Sequence, residues 1–122
     1  MCGIGGFVGD GFSKEALAFI LRNVCEKLSH RGPDSMGVFI KPGVAFASTR
    51  LAIRDLEKGQ QPLEKEEIVL IFNGEIYNTD DLRNRCKSTC WKTESDTEVV
   101  LEVYRHFGEK GFQMLSGMFS FA

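Results

Sequence analysis

Along the chain the apolar positions alternate between two spacings, and the changes of spacing mark out the elements. Residues 4–9 form a glycine-rich apolar stretch that reads as a first strand. Ser13 then stands where a helix cap is needed, and Leu17, Ile20, Leu21, Val24 and Leu28 recur at helical spacing over Lys14–Leu28, with Cys25 as a packing residue. Gly32-Pro33 breaks that pattern. Residues 36–40 and 44–51 follow as strands joined around Lys41-Pro42-Gly43, a turn of hairpin size. Beyond a polar turn at 58–62, residues 68–72 make a nearly continuous apolar run, which suits a strand covered on both faces. Asn73-Gly74-Glu75 is expected to end it.

Asn78 or Thr79 can cap a short helix over 80–87. Ser95-Asp96-Thr97-Glu98 fits a capping box, and the helix it opens carries Val99, Val100, Leu101, Val103, Tyr104 and Phe107 before stopping at Gly108. A short helical piece reaches Leu115, and residues 118–122 start another strand. A chain stopping inside an apolar strand would expose its edge. The expectation is therefore a fragment, or a last strand covered by a partner chain, with homo-oligomers as one outcome. No repeat or linker divides residues 1–122, so they read as one domain.

Composition narrows the function classes. The net charge of −2 offers no basic surface for nucleic acid. No apolar run approaches the ~20 residues of a membrane span. Asp10, Lys14 and Glu15 interrupt any signal-peptide core. Without a secretory signal, Cys2, Cys25, Cys86 and Cys90 read as reduced thiols in a cytoplasmic protein. Cys86-x-x-x-Cys90 has no spaced histidine pair beside it, so no metal site is expected. The glycines at 3, 5, 6 and 9 miss the dinucleotide-binding frame.

The candidate chemistry starts at Cys2. Methionine is trimmed when the next side chain is small, and loss of Met1 would leave Cys2 with both a thiol and a free α-amine. An α-amine titrates near ~8 and can take the thiol proton, so one residue holds nucleophile and base. The competing reading is a small hydrophobe in a buried first strand. Asn73 and Gly74 could supply an amide and a backbone N–H to an oxyanion, or could form a type I′ hairpin turn. Arg50 stands inside an apolar strand, where a charge tends to face a site, although an isolated arginine is ordinarily a surface charge. Asp96 lies inside a helix N-terminus, and the helix dipole alone accounts for a carboxylate there. Together the set matches an amino acid with an amide side chain. Arg50 suits a carboxylate, Asp96 and Glu75 an ammonium, and Asn73 with Gly74 a developing oxyanion. That substrate would be glutamine.

Met1-Cys2-Gly3-Ile4, Arg31-Gly32-Pro33-Asp34, Arg50-Leu51-Ala52-Ile53, Gln61-Pro62-Leu63, Phe72-Asn73-Gly74-Glu75-Ile76-Tyr77-Asn78, Ser95-Asp96-Thr97-Glu98 and Gly117-Met118-Phe119-Ser120-Phe121-Ala122 occur in order. Each is weak alone. In this order, across essentially the whole chain, they closely resemble the class II glutamine amidotransferase domain at the front of asparagine synthetases. The resemblance implies an α+β N-terminal nucleophile hydrolase fold, a four-layer αββα sandwich with antiparallel sheets, incomplete here at its C-terminus. It implies that Cys2 attacks glutamine, that Asn73 and Gly74 form the oxyanion hole, and that Arg50 holds the α-carboxylate within a loop shaped by Leu51 and Ile53. Glu75 and Asp96 would receive the α-ammonium. Arg31-Gly32-Pro33-Asp34 would position the strand and loop beside the site. No cofactor belongs to this domain: ATP and magnesium are expected only in a synthetase domain or subunit that accepts the ammonia. If Met1 were kept, Cys2 would lack its base. The alternative function is then a catalytically silent domain for glutamine binding or assembly.

Overall fold

The computed structural model describes residues 2–52, 58–87 and 89–122. It is an α+β fold with antiparallel sheets. Strand β1 (Gly3–Val8) leads to helix α1 (Lys14–Leu28), then to β2 (Ser35–Lys41) and β3 (Val44–Arg50). These strands form a sheet in the order β1-β3-β2, with Gly3 opposite Thr49 and Ser35 opposite Arg50. Ser13 caps α1 as its sequence demands, its hydroxyl accepting from the Ala16 N–H at 3.2 Å. The buried stripe of α1 is Leu17, Leu21 and Cys25, which packs on Ala45 and Ala47 of β3. Ile20, expected in that stripe, is 40% exposed, because Cys25 continues the four-residue spacing from Leu21 and turns Ile20 outward.

The next elements are the strands β4 (Leu63–Lys65), β5 (Ile68–Leu70) and β6 (Phe72–Ile76), followed by α2 (Thr79–Arg85) and α3 (Asp96–Phe107). A 3₁₀ helix at Gly108–Met114 and β7 (Gly117–Phe121) complete the described chain. The apolar run at 68–72 does not end at Asn73. Its backbone continues through Ile76, because β7 pairs with it from Phe72↔Phe121 to Ile76↔Gly117. Ile71 and Ala122 extend the pairing with two backbone hydrogen bonds, at 3.0 and 3.1 Å. The final apolar strand therefore pairs with β6 along one edge, while Gly117 to Ser120 stay exposed. The β4–β5 hairpin had no turn signal, because Glu66 takes the positive φ of 55° that a glycine or asparagine would advertise.

This central run is covered on both faces. On one, Ile71 meets Phe39 and Phe46 of the first sheet, with Ile4, Val44 and Val69 around them. On the other, Leu70, Phe72 and Ile76 pack against Leu82 of α2 and Val99, Val100, Leu101 and Val103 of α3. The alternation of side chains along a strand divides the run between two cores.

Helix α3 opens as its sequence indicates, with the Ser95 hydroxyl accepting from the Glu98 N–H at 3.3 Å. The second half of the capping box is absent. Glu98 instead accepts from the N–H groups of Lys92 and Thr93 and from the Thr93 hydroxyl, and Ser95 N–H donates to Thr93 Oγ1. Asn78 precedes α2 without a side-chain cap; its amide ties Met114 O and Ser116 N.

Farther along α3, Glu102 is fully buried. It accepts from Lys65 of β4, from Arg105 at 2.9 Å and from the Thr89 hydroxyl at 3.1 Å. Burial pushes its carboxyl upward, but the Lys65 and Arg105 hydrogen bonds outweigh that and hold it below its ordinary 4.5. A depressed carboxyl stabilises the fold above the unfolded-state pKa, and the stabilisation is lost as pH falls through the folded value. Replacing Glu102 by Gln removes the charge that Lys65 and Arg105 share and leaves Arg105 with Glu66 alone, and a loss of about 1–3 kcal/mol at neutral pH is expected. Urea unfolding at pH 7 and in acid should show the two proteins converging in acid. Equal midpoints at pH 7 would refute the assignment.

Candidate active site

The register of the first sheet brings two sequence-distant groups together. Cys2 lies one residue before the Gly3↔Thr49 pair, beside the end of β3 where Arg50 stands. The Cys2 thiol approaches the Leu51 carbonyl at 4.0 Å. Arg50 is only 6% exposed, an unusual burial for a guanidinium.

The Arg31-Gly32-Pro33-Asp34 segment fastens both. Arg31 Nε donates to Cys2 O at 3.2 Å, and Asp34 N–H donates to Arg50 O at 3.0 Å. Asp34 Oδ2 accepts from the Ala52 N–H at 2.8 Å, and Pro33 bridges to Arg50. The motif thus ties the residue before β1 to the end of β3 and the segment after it, the positioning that the resemblance implied.

Across from this corner, β6 and the first turn of α3 close a cleft of about 150 Å³. Cys2, Arg50, Leu51, Gly74, Glu75 and Asp96 all line it. Asp96 has a structural duty as well, because its Oδ2 accepts the Ile76 N–H at 2.8 Å. That bond locks the helix start to the end of β6, with the carboxylate at the wall of the cleft. The helix dipole therefore accounts for only part of its placement. Arg50 does not stand on open surface, and it lines the same cleft as Cys2.

Asn73-Gly74 lies within paired strand β6, which excludes the hairpin turn. Gly74 has φ +153°, and a Cβ there would come within 2.2 Å of Met118 O, so only glycine lets β7 approach this closely. Asn73 does not line the cleft, although its neighbour Gly74 does. Its Oδ1 is buried with no hydrogen-bond partner among the described residues. Ile53 lies outside the described residues.

Sequence reasoning missed other walls of the cleft: Gly59, Gln61, Phe72, Ser95, Thr97 and Met118. Gln61, expected in a solvent-facing polar turn, is buried. Its motif with Pro62 and Leu63 was the one available signal.

The other thiols differ in access. Cys25 and Cys86 are buried, and burial pushes both thiols up, with the Glu102 charge adding to the effect at Cys86. Cys90 is exposed. Among the described residues no group of three or more His, Cys, Asp or Glu could hold a metal ion. None of the described helices is long and apolar enough to cross a membrane.

A thiol, a guanidinium and two carboxylates around one small cleft, on an α+β frame of antiparallel sheets, can bind a zwitterion and present a nucleophile to its side chain. The family model for the glutamine amidotransferase domain matches residues 1–122, and the chain belongs to that family. Its similarity extends to full-length relatives. It is 44% identical over 131 residues to asparagine synthetase [glutamine-hydrolyzing] 1 of Bacillus subtilis (strain 168), covering 99% of this chain and 20% of that protein. It is 39% identical over 123 residues to asparagine synthetase [glutamine-hydrolyzing] 1 of Arabidopsis thaliana, covering 99% and 21% respectively. The asparagine synthetase [glutamine-hydrolyzing] of Asparagus officinalis is 40% identical over a stretch of the same length. The chain spans about one fifth of the length of these curated relatives.

Gly74→Ala should force β6 and β7 apart and cost about 1–3 kcal/mol, the usual range for a residue held in a strained backbone region. Chemical denaturation measures it, and an unshifted midpoint would contradict the close approach.

Proposed function

We propose that residues 1–122 are the glutaminase part of an asparagine synthetase-type amidotransferase, hydrolysing L-glutamine to glutamate and ammonia. The observation that carries this reading is the convergence of Cys2, Arg50, Gly74, Glu75 and Asp96 on one cleft. The N-terminal nucleophile hydrolase fold, a four-layer αββα sandwich, accords with the packing. Helix α1 covers one sheet, α2 and α3 cover β5 and β6, and the apolar faces around Ile71 meet between them.

In the proposed reaction Met1 has been removed. The α-amine of Cys2 takes the thiol proton, and sulfur forms a bond to the carboxamide carbon of glutamine. The developing oxyanion meets the Gly74 N–H and, as second donor, the Asn73 side-chain N–H. Collapse breaks the C–N bond as the protonated α-amine of Cys2 gives its proton to the departing nitrogen, and ammonia leaves. Water activated by the same amine then hydrolyses the γ-glutamyl thioester, giving glutamate and the free thiol.

Arg50 pairs with the α-carboxylate, with Leu51 and Ile53 of the same motif as further substrate-binding residues, while Glu75 and Asp96 hold the α-ammonium. Both charged groups sit on the α-carbon of glutamine, so a cation and carboxylates holding that end leave the carboxamide to reach Cys2. The ammonia acceptor would be a synthetase domain or subunit, which is also where ATP and magnesium would act, and the compartment would be the cytoplasm. The names of the relatives support a synthetase as that acceptor.

Intact-mass analysis with an electrophilic glutamine analogue provides the test. A chain lacking Met1 should gain one adduct at Cys2, leaving exposed Cys90 as the internal control for unspecific labelling. Cys2→Ala should abolish ammonia release with the fold retained. Equal labelling of Cys90 and Cys2, unaffected by glutamine, would overturn the reading in favour of a silent binding or assembly domain.

Asn73→Ala should slow acylation by roughly 10²–10³-fold, the usual loss for one oxyanion donor. Single-turnover kinetics would show it, and an unchanged acylation rate would remove Asn73 from the oxyanion hole.

A further inference from the structure

Gln61 belongs to a motif to which no function has so far been attached, yet its carboxamide is used at both ends. Its Oε1 accepts the Phe72 N–H at 2.7 Å, and its Nε2 donates to the Thr97 hydroxyl at 3.2 Å. Phe72 is the first residue of β6, and Thr97 lies in the first turn of α3. One side chain thus spans the strand carrying Gly74 and Glu75 and the helix start carrying Asp96. The residue is only 8% exposed and itself lines the cleft, so water does not replace these bonds cheaply. From behind, β2 braces it: a Cβ on Gly37 would come within 2.0 Å of Gln61 O.

We propose that Gln61 is a positioning residue of the glutamine site. Its amide sets the separation between the oxyanion end on β6 and the ammonium end at Asp96. The inference rests on the glutaminase reading above.

The two ends are not held equally. The strand end is also fixed by the Phe72↔Phe121 pairing with β7. The helix end is tied to β6 by the Thr97–Gln61 bond and by Asp96 accepting from Ile76 N–H. Loss of the Gln61 amide therefore shifts Asp96 more than Gly74. Cys2 stands just before β1, outside this bridge. Such a shift weakens a contact made equally in ground state and transition state, which raises KM and spares kcat.

The test uses the intact protein and measures ammonia release against glutamine concentration. Gln61→Met keeps length and removes both bonds; Thr97→Val keeps shape and removes one. KM should rise by about tenfold for each, the effect of one buried hydrogen bond, with kcat within about twofold. Thr97→Ser restores the hydroxyl and should restore KM. In the double variant the two effects should not multiply, because both act on one bond. Iodoacetamide, which carries neither the α-carboxylate nor the α-ammonium, should alkylate Cys2 at the wild-type rate in every variant. Should Gln61→Met fail to fold, the Thr97 pair carries the test alone. An unchanged KM in Thr97→Val, or a fall in kcat alone, overturns the proposal while the glutaminase reading stands. A wild-type protein that releases no ammonia overturns both.

Discussion

The start of α3 is buried, and a buried helix N-terminus must find partners for every polar group it carries there. Every residue from Asp96 through Val103 is out of water, among them two glutamates, an aspartate and a threonine. Each is satisfied by reaching to a different part of the chain. Asp96 reaches the end of β6, Thr97 reaches Gln61, Glu98 reaches the 92–93 loop, and Glu102 reaches the β4–β5 hairpin. Satisfying one helix's polar groups thus assembles one side of the molecule. It also leaves a carboxylate at the cleft, so the stability requirement and the recognition requirement fall on the same turn.

How much of this was legible in sequence depended on whether the signal was local. The α1 boundaries follow from Ser13 and the apolar spacing, and α3 follows from Ser95 and Gly108, because caps and periodicity act over a few residues. Strand β6 was cut short at Asn73 because Asn-Gly reads as a turn. Only β7, arriving more than forty residues later, makes the extended conformation worthwhile. The β4–β5 turn was invisible because Glu66 adopts a conformation its side chain does not announce.

The site shows the same division. Cys2, Arg50, Glu75 and Asp96 each have an ordinary explanation alone, and only tertiary structure shows that they share a cleft. The motif order supplied that grouping before any geometry, through resemblance to the glutamine amidotransferase domain. Gln61 escaped because a glutamine in a polar stretch before proline has the composition of a solvent-facing turn. Its burial comes from β2, β6 and α3 closing around it, which no local pattern encodes.

Because the cleft draws its walls from Cys2 at one extreme and Met118 at the other, it has no partial form during synthesis. The first sheet and α1 can pack as soon as residue 50 clears the ribosome, since β1, α1, β2 and β3 are consecutive. Strand β6 must wait for β7, and until then Gly74 and its neighbours lack the pairing that gives the wall its shape. The Cys2 thiol therefore emerges well before the walls around it. Residues 3–117 must all be made before that thiol has a finished cleft beside it.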